Sequence, residues 1–163
     1  MATNNSINNT ATTLSPTNVH TSNLSFDSGT NNMSAYSVTS FTPSLAIGGS
    51  TSGIAYAERS GTLIRIGKLG IILMNIDLGS KGSNSGDLKI STGITTNAAS
   101  NKYFGFVGED ITLPVDGQSP MGELLSNDVF LYYSSNGGSI APMDNTHIGN
   151  ATSFYIQFSF LTT

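Results

Sequence analysis

Near its C-terminal end this 163-residue chain carries the run TSFYIQFSFLT, in which large apolar and smaller or polar residues alternate without a break. In an extended segment Phe154, Ile156, Phe158 and Phe160 fall on one side, with Tyr155, Gln157 and Ser159 on the other. Four large residues on one face form a core stripe, and such a stripe needs a second apolar layer packed against it. A platform of aromatic rings stacking on a ligand is the alternative reading of the same stripe.

The rest of the chain from Val38 reads the same way. SFTPSLAI is a first strand, in which Pro43 argues for an edge or starting position. GGSTSG at 48–53 is a turn. GIAYAER, TLIRIG and LGIILMNIDL follow as strands, separated by Ser60-Gly61 and by a connection over Lys68 to Gly70. The loop GSKGSNSG at 79–86 leads into DLKIS, and NKYFGFVG and DVFLYYSS are further strands. The best helix candidate, MGELLSND at 121–128, is short. Short connections between many strands predict an all-β fold, an antiparallel β-sandwich of jelly-roll-like kind, with an extended N-terminal arm.

That arm is a separate compositional block. Of residues 1–37, 22 are Asn, Ser or Thr, and Asp27 is the one charge. No period of 2 or 3.6 is sustained, so the segment cannot bury enough surface to offset its own ordering entropy. A solvated tail is one reading. The other is an arm lying in a groove on a partner, with Ile7, Leu14, Val19, Leu24 and Phe26 as spaced apolar anchors. The domain division is therefore 1–37, an anchoring arm, and 38–163, the β-sandwich.

Charged residues make up 10% of the chain, against about 25% in ordinary soluble proteins. Low charge with abundant Ser, Thr, Asn and Gly suits assembled β proteins such as fibres, capsid parts and adhesins. Net charge is −4, and Arg59, Arg65, Lys68, Lys81, Lys89 and Lys102 are scattered, so no stripe exists to neutralise phosphates and no nucleic-acid partner is expected. There is no cysteine. No apolar run reaches the roughly 18 residues needed to span a bilayer, so no membrane insertion is expected. MATNNSINNT has neither a basic n-region nor an apolar h-region, so no secretion signal is expected. A protein of this composition without such a signal must leave the cell another way, and assembly into a particle released by lysis is one.

The strand at 71–78 is apolar on both faces at its start. Ile72, Met74, Ile76 and Leu78 share one face; Ile71, Leu73, Asn75 and Asp77 share the other. A lone soluble sandwich should not expose several such residues together. Leu63, Ile71 and Leu73 are accordingly the candidates for an oligomer interface, the alternative cover being the edge of the other sheet.

Chemistry is sparse. Ten acidic residues allow many carboxylate pairs, so pairing alone does not point to glycoside hydrolysis. Glu109 and Asp110 with Asp116 could approach a cation, yet no loop has the ligand spacing of a calcium site. His20 and His147 stand in unrelated contexts, and no nucleophile-elbow, zinc-protease or phosphate-loop motif occurs. No enzymatic activity and no cofactor are expected. Tyr103, Tyr132 and Tyr133 are candidate glycan contacts, since aromatic rings stack on sugars, although core burial is the stronger reading for at least half of them.

The stretch FTPSLAIGGSTSGIAYAERSGTLIRIGKLGIILMNIDLGSKGSNSGDLKIS resembles a β module found in bacteriophage fibre and virion-surface proteins. Phe41, Pro43, Gly48-Gly49, Gly53-Ile54, Tyr56, Gly61, Arg65-Ile66-Gly67, Leu78, Lys81-Gly82 and Gly86 carry the likeness, and LYYSSNGGSIAPMDNTHIGNATSFYIQFSFLTT echoes the family's closing pattern. Lys68 stands where the family often has Asn. The resemblance covers about 38–163. It implies a β-sandwich that often forms a homotrimer on the outside of a virion, where it can touch the host surface. Family modules usually end long fibres, whereas here one module follows a short arm. The expectation is thus a small fibre or decoration protein on the virion surface, docked on another virion protein, capsid or tail, through residues 1–37. A carbohydrate-binding adhesin with a host-surface glycan as partner is the alternative.

Overall fold

The computed structural model describes residues 24–26, 31–33, 36–95, 102–114, 118–134 and 138–161. They form thirteen strands, with no helix among the described residues: β1 (Leu24–Phe26), β2 (Asn31–Met33), β3 (Tyr36–Phe41), β4 (Ser44–Ile47), β5 (Ala55–Ile66), β6 (Leu69–Ser80), β7 (Leu88–Ser91), β8 (Lys102–Gly105), β9 (Val107–Ile111), β10 (Pro120–Leu125), β11 (Asp128–Ser134), β12 (Ile140–Pro142) and β13 (Ile148–Leu161). The fold is all-β, and every strand pair is antiparallel. One sheet has the order β3-β5-β6-β13-β9. The other runs β4-β7-β11-β10-β8, with β12 added beside β11. The chain crosses between sheets several times, while the hairpins β5–β6 and β10–β11 each stay within one sheet.

A single apolar core lies between the two sheets. Leu45, Ile47, Leu88, Ile90, Leu124, Val129 and Leu131 come from one; Leu63, Ile72, Met74, Ile76 and Leu78 from the other. The β13 stripe Phe154, Ile156, Phe158 and Phe160 is buried as its alternation predicts, with Tyr155, Gln157 and Ser159 outside. It is core and not a ligand platform. Phe158 stacks on Phe104 of the facing sheet with ring centroids 4.0 Å apart, and Phe154 meets Phe106 at 6.1 Å. Gly122 makes room for the Phe104 ring, which a Cβ there would approach to 2.4 Å.

Local chemistry explains where the sequence reading and the structure part. SFTPSLAI is two strands in different sheets: β3 ends at Phe41, and Thr42-Pro43 carries the chain across to β4. Proline has no N–H for a ladder, so it fits this crossover between two edge strands. Ser60-Gly61 does not break the chain, and β5 runs through it because the Phe41 ring packs where a Gly61 side chain would stand. NKYFGFVG divides around buried Phe106 into β8 and β9; Asn101 lies outside the described residues. MGELLSND forms β10 and its turn, not a helix: Leu125 pairs with Asp128 across Ser126-Asn127. A short apolar run is ambiguous by periodicity, and the tight turn decides it as a hairpin. β3 also takes in Tyr36 and Ser37, two residues ahead of the boundary expected at Val38.

Candidate functional site

The residues that carry the resemblance assemble one corner of the sandwich. Lys81 Nζ donates to the carbonyls of Asn145 (2.7 Å) and Ile148 (2.8 Å), tying the 81–87 loop to the start of β13. The Asn145 side-chain oxygen accepts from Gly86 N at 3.0 Å, and Asn84 Nδ2 donates to the Ser52 carbonyl at 2.6 Å. Tyr56 reaches across to β4, accepting from Leu45 N at 2.9 Å and donating to its carbonyl at 3.3 Å. Arg59 sits 4.3 Å over the Tyr56 ring and donates to Ser44 Oγ at 2.9 Å. These contacts join loops and sheet edges; they are architecture.

His147 belongs to the same corner. It is buried, its ring lies 5.0 Å from that of Tyr133, and its Nδ1 is 2.8 Å from Asp144 Oδ1. The Thr146 hydroxyl donates to that carboxylate at 2.6 Å and is the main cause holding Asp144 below the usual carboxylate range. His20 and Asp116 lie outside the described residues. Glu109 and Asp110 are exposed on β9, and no group of three His, Asp or Glu among the described residues could hold a metal.

The outer faces of the two sheets carry the large exposed apolar and aromatic side chains Tyr36, Val38, Leu73, Tyr103 and Tyr155. On the five-stranded sheet, strand register sets five outward rows. Tyr36, Ile66, Leu69 and Leu161 form the first. Val38, Ile64, Ile71 and Ser159 form the second, and Ser40, Thr62, Leu73 and Gln157 the third. Ser60, Asn75, Tyr155 and Val107 follow, and the last row is Glu58, Asp77, Ser153 and Glu109. The face thus grades from apolar to acidic along the strands. Tyr36 is 70% exposed, Val38 52% and Leu73 38%. A hollow of about 440 Å³ opens beside Leu73, Asn75, Tyr155 and Gln157. Next to it Asn75 Oδ1 and Asp77 Oδ1 are buried with no hydrogen-bond donor among the described residues.

Leu63 is not on this face. It is 3% exposed and pairs with Ile72 in the core, which removes it as an interface candidate. The cause is the loop. A connection over Lys68 to Gly70 would put Leu63 on the side of Ile71 and Leu73, whereas the chain turns in two residues, Gly67-Lys68, with Ile66 opposite Leu69. A one-residue change in register flips a side chain to the other face. Gly67 sits at φ 58, the first position of a tight hairpin that glycine favours. Ile71 and Leu73 do face outward, Ile71 partly covered and Leu73 exposed.

The outer face of the six-stranded sheet is different in kind. Tyr103 of β8, Glu123 of β10, Phe130 of β11 and Lys89 of β7 lie in one row across four neighbouring strands. Tyr132 stands in the adjoining row, opposite Met121 and Pro142. Glu123 is 7% exposed and Tyr103 54%. Both tyrosine hydroxyls hydrogen-bond to Glu123; that bond is the first cause of the raised Tyr103 ionisation, and for Tyr132 desolvation comes first, then the Glu123 charge. Lys89 Nζ meets Asp128 Oδ2 at 2.9 Å and lies 5.8 Å from the Phe130 ring centre. A second hollow, about 300 Å³, opens beside Lys89 and Phe130 and reaches Gly48, Gly49 and Asp87. Of the three candidate tyrosines, Tyr103 and Tyr132 share this face. Tyr133 points the other way, packs against the core and His147, and is withdrawn as a glycan contact. The sequence does not single out Glu123, because the segment around it reads as a short helix.

Of the arm candidates, Leu24 and Phe26 fall in β1, which pairs with β2 as a separate two-stranded sheet. Ile7, Leu14 and Val19 lie outside the described residues. No protein-family model matches the chain, and no curated protein matches it by sequence. Among solved structures, the sandwich superposes on the Dettilon tailspike protein with a TM-score of 0.64 at 20% identity. The fold resembles a stretch of a phage tailspike. The likeness takes in 77% of this chain and 23% of the tailspike, so the chain spans about a quarter of that protein's length. At this identity the tailspike likeness speaks for the architecture.

Proposed function

We propose that this chain is a non-enzymatic virion-surface module of a phage attachment structure, a small fibre or decoration protein. In this reading it assembles as a homotrimer through the outer face of the five-stranded sheet. The observation that carries the reading is that apolar face on a sandwich similar in fold to part of a tailspike. Copies rotated about an axis along the strands bring equivalent rows together, apolar against apolar, and leave the acidic row at the far end.

Light scattering on the purified chain tests this. The expected mass is three times the 17.0 kDa chain, and Leu73→Glu with Val38→Glu is expected to return it to a folded monomer. A wild-type protein that runs as a 17.0 kDa monomer at micromolar concentration removes the trimer from the reading.

Residues 1–37 are proposed to dock on another virion protein, since their spaced apolar residues have no stripe of their own to bury. Removing residues 2–35, which stops short of β3, is expected to leave a folded sandwich that no longer incorporates into particles. Unimpaired incorporation of the shortened chain would count against the arm.

A further inference from the structure

We propose that the outer face of the six-stranded sheet binds a carbohydrate, with Tyr103, Tyr132 and Glu123 at its centre and Phe130 and Lys89 extending it. The site lies on the sheet opposite the oligomer face and would stand even if the chain were a monomer.

Four features of the face point to a sugar. Tyr103 offers an exposed ring, and a pyranose presents one face of C–H groups that packs on such a ring. Glu123 is buried while its side chain faces outward between two tyrosines, so its carboxylate sits at the floor of the platform and not at the rim. A carboxylate offers about four lone-pair sites and each tyrosine hydroxyl accepts as well as donates. The cluster can therefore accept from neighbouring sugar hydroxyls while the tyrosine–glutamate bonds hold its geometry. Those bonds keep the polar group satisfied when the site is empty, so the floor is formed in advance and little ordering cost falls on binding.

The row also has length. From Tyr103 to Lys89 it crosses three strand spacings, about 14 Å, and it opens at the Lys89–Phe130 end into the second hollow. Lys89 adds a donor for sugar oxygens. Asp128 already pairs with it, so the face carries no net attraction for anions that would outweigh stacking. An extended chain of neutral sugars fits this outline better than a single small polyol. A quaternary ammonium group also suits aromatic rings around a carboxylate, and it is the competing ligand chemistry.

The test uses the full chain on an array of bacterial surface-polysaccharide fragments, with monosaccharides and choline chloride titrated in parallel by calorimetry. Binding to one or more oligosaccharides is expected, without cleavage of the fragment. Tyr103→Ala and Glu123→Gln should each weaken it roughly tenfold or more, and Tyr103→Phe, which keeps the ring, should weaken it less. Unchanged circular dichroism and melting for Tyr103→Phe and Glu123→Gln separate lost binding from lost fold. The proposal is overturned if no fragment binds, if choline binds and sugars do not, or if a bound fragment is indifferent to all three substitutions. Because the readout is binding by the chain alone, a monomeric mass in light scattering leaves it untouched, and a failed array leaves the trimer untouched.

Discussion

Replacing Phe154 with alanine is expected to cost about 3–5 kcal/mol of folding stability. The ring is fully buried in the middle of β13, level with Ile76 on β6 and Gly108 on β9, and tilted against Phe106 where the chain crosses between sheets. Truncation removes transfer energy and leaves a cavity that two sheets, each tied by its own ladders, cannot close. Since domains of this size are stable by about 5–15 kcal/mol, a large share of the total is at stake. Urea unfolding followed by fluorescence or circular dichroism measures it. Ser159→Ala, on the outer side of the same strand, should change stability by no more than about 0.5 kcal/mol. A loss below about 1 kcal/mol for Phe154→Ala would mean the sheets do not close over this ring.

A second large effect is expected at Gly48, and its neighbour supplies the comparison. Both Gly48 (φ 57) and Gly49 (φ 82) occupy the left-handed region. A Cβ on Gly48 would stand 2.1 Å from the Ser85 carbonyl oxygen, which is backbone and cannot swing aside; around Gly49 there is open space. Gly49→Ala should therefore show only the conformational penalty, about 1–2 kcal/mol. Gly48→Ala adds a forced displacement of the 81–87 loop and with it the Lys81 and Asn84 bonds, so its loss should exceed that of Gly49→Ala by about 2 kcal/mol or more. Equal melting temperatures for the two variants would show that the two loops are not locked together. The same experiment tests the view that the Gly-rich segments at 48–53 and 79–86 act as a structural lock.

The strand content was legible in the chain because inward and outward alternation is written residue by residue. Phe154, Ile156, Phe158 and Phe160, and likewise Ile72, Met74, Ile76 and Leu78, are buried as their spacing requires. Pro43 marked an edge and stands between two of them. Two of the readings that the structure corrects turn on a two-residue connection. The turn at Gly67-Lys68 sends Leu63 inward, and the turn at Ser126-Asn127 makes a hairpin of a presumed helix. In sequence the first turn is not distinguished from a connection one residue longer, and the second follows an apolar run too short for its period to separate helix from strand.

The candidate sites divide along the same line. An excess of apolar residues in β5 and β6 could be counted without any fold, and Ile71 and Leu73 came out on the expected surface. The grouping of Tyr103, Glu123 and Tyr132 could not, because it joins three strands and one of them, β10, reads in sequence as a short helix. Class of fold, core stripes and the polar arm rest on local period and composition, which each segment carries within itself. Which strands lie side by side, and so which side chains share a face, depends on long-range pairing and register. Those are settled only when two sheets close over a common core, since only then does burial select one register over its neighbours.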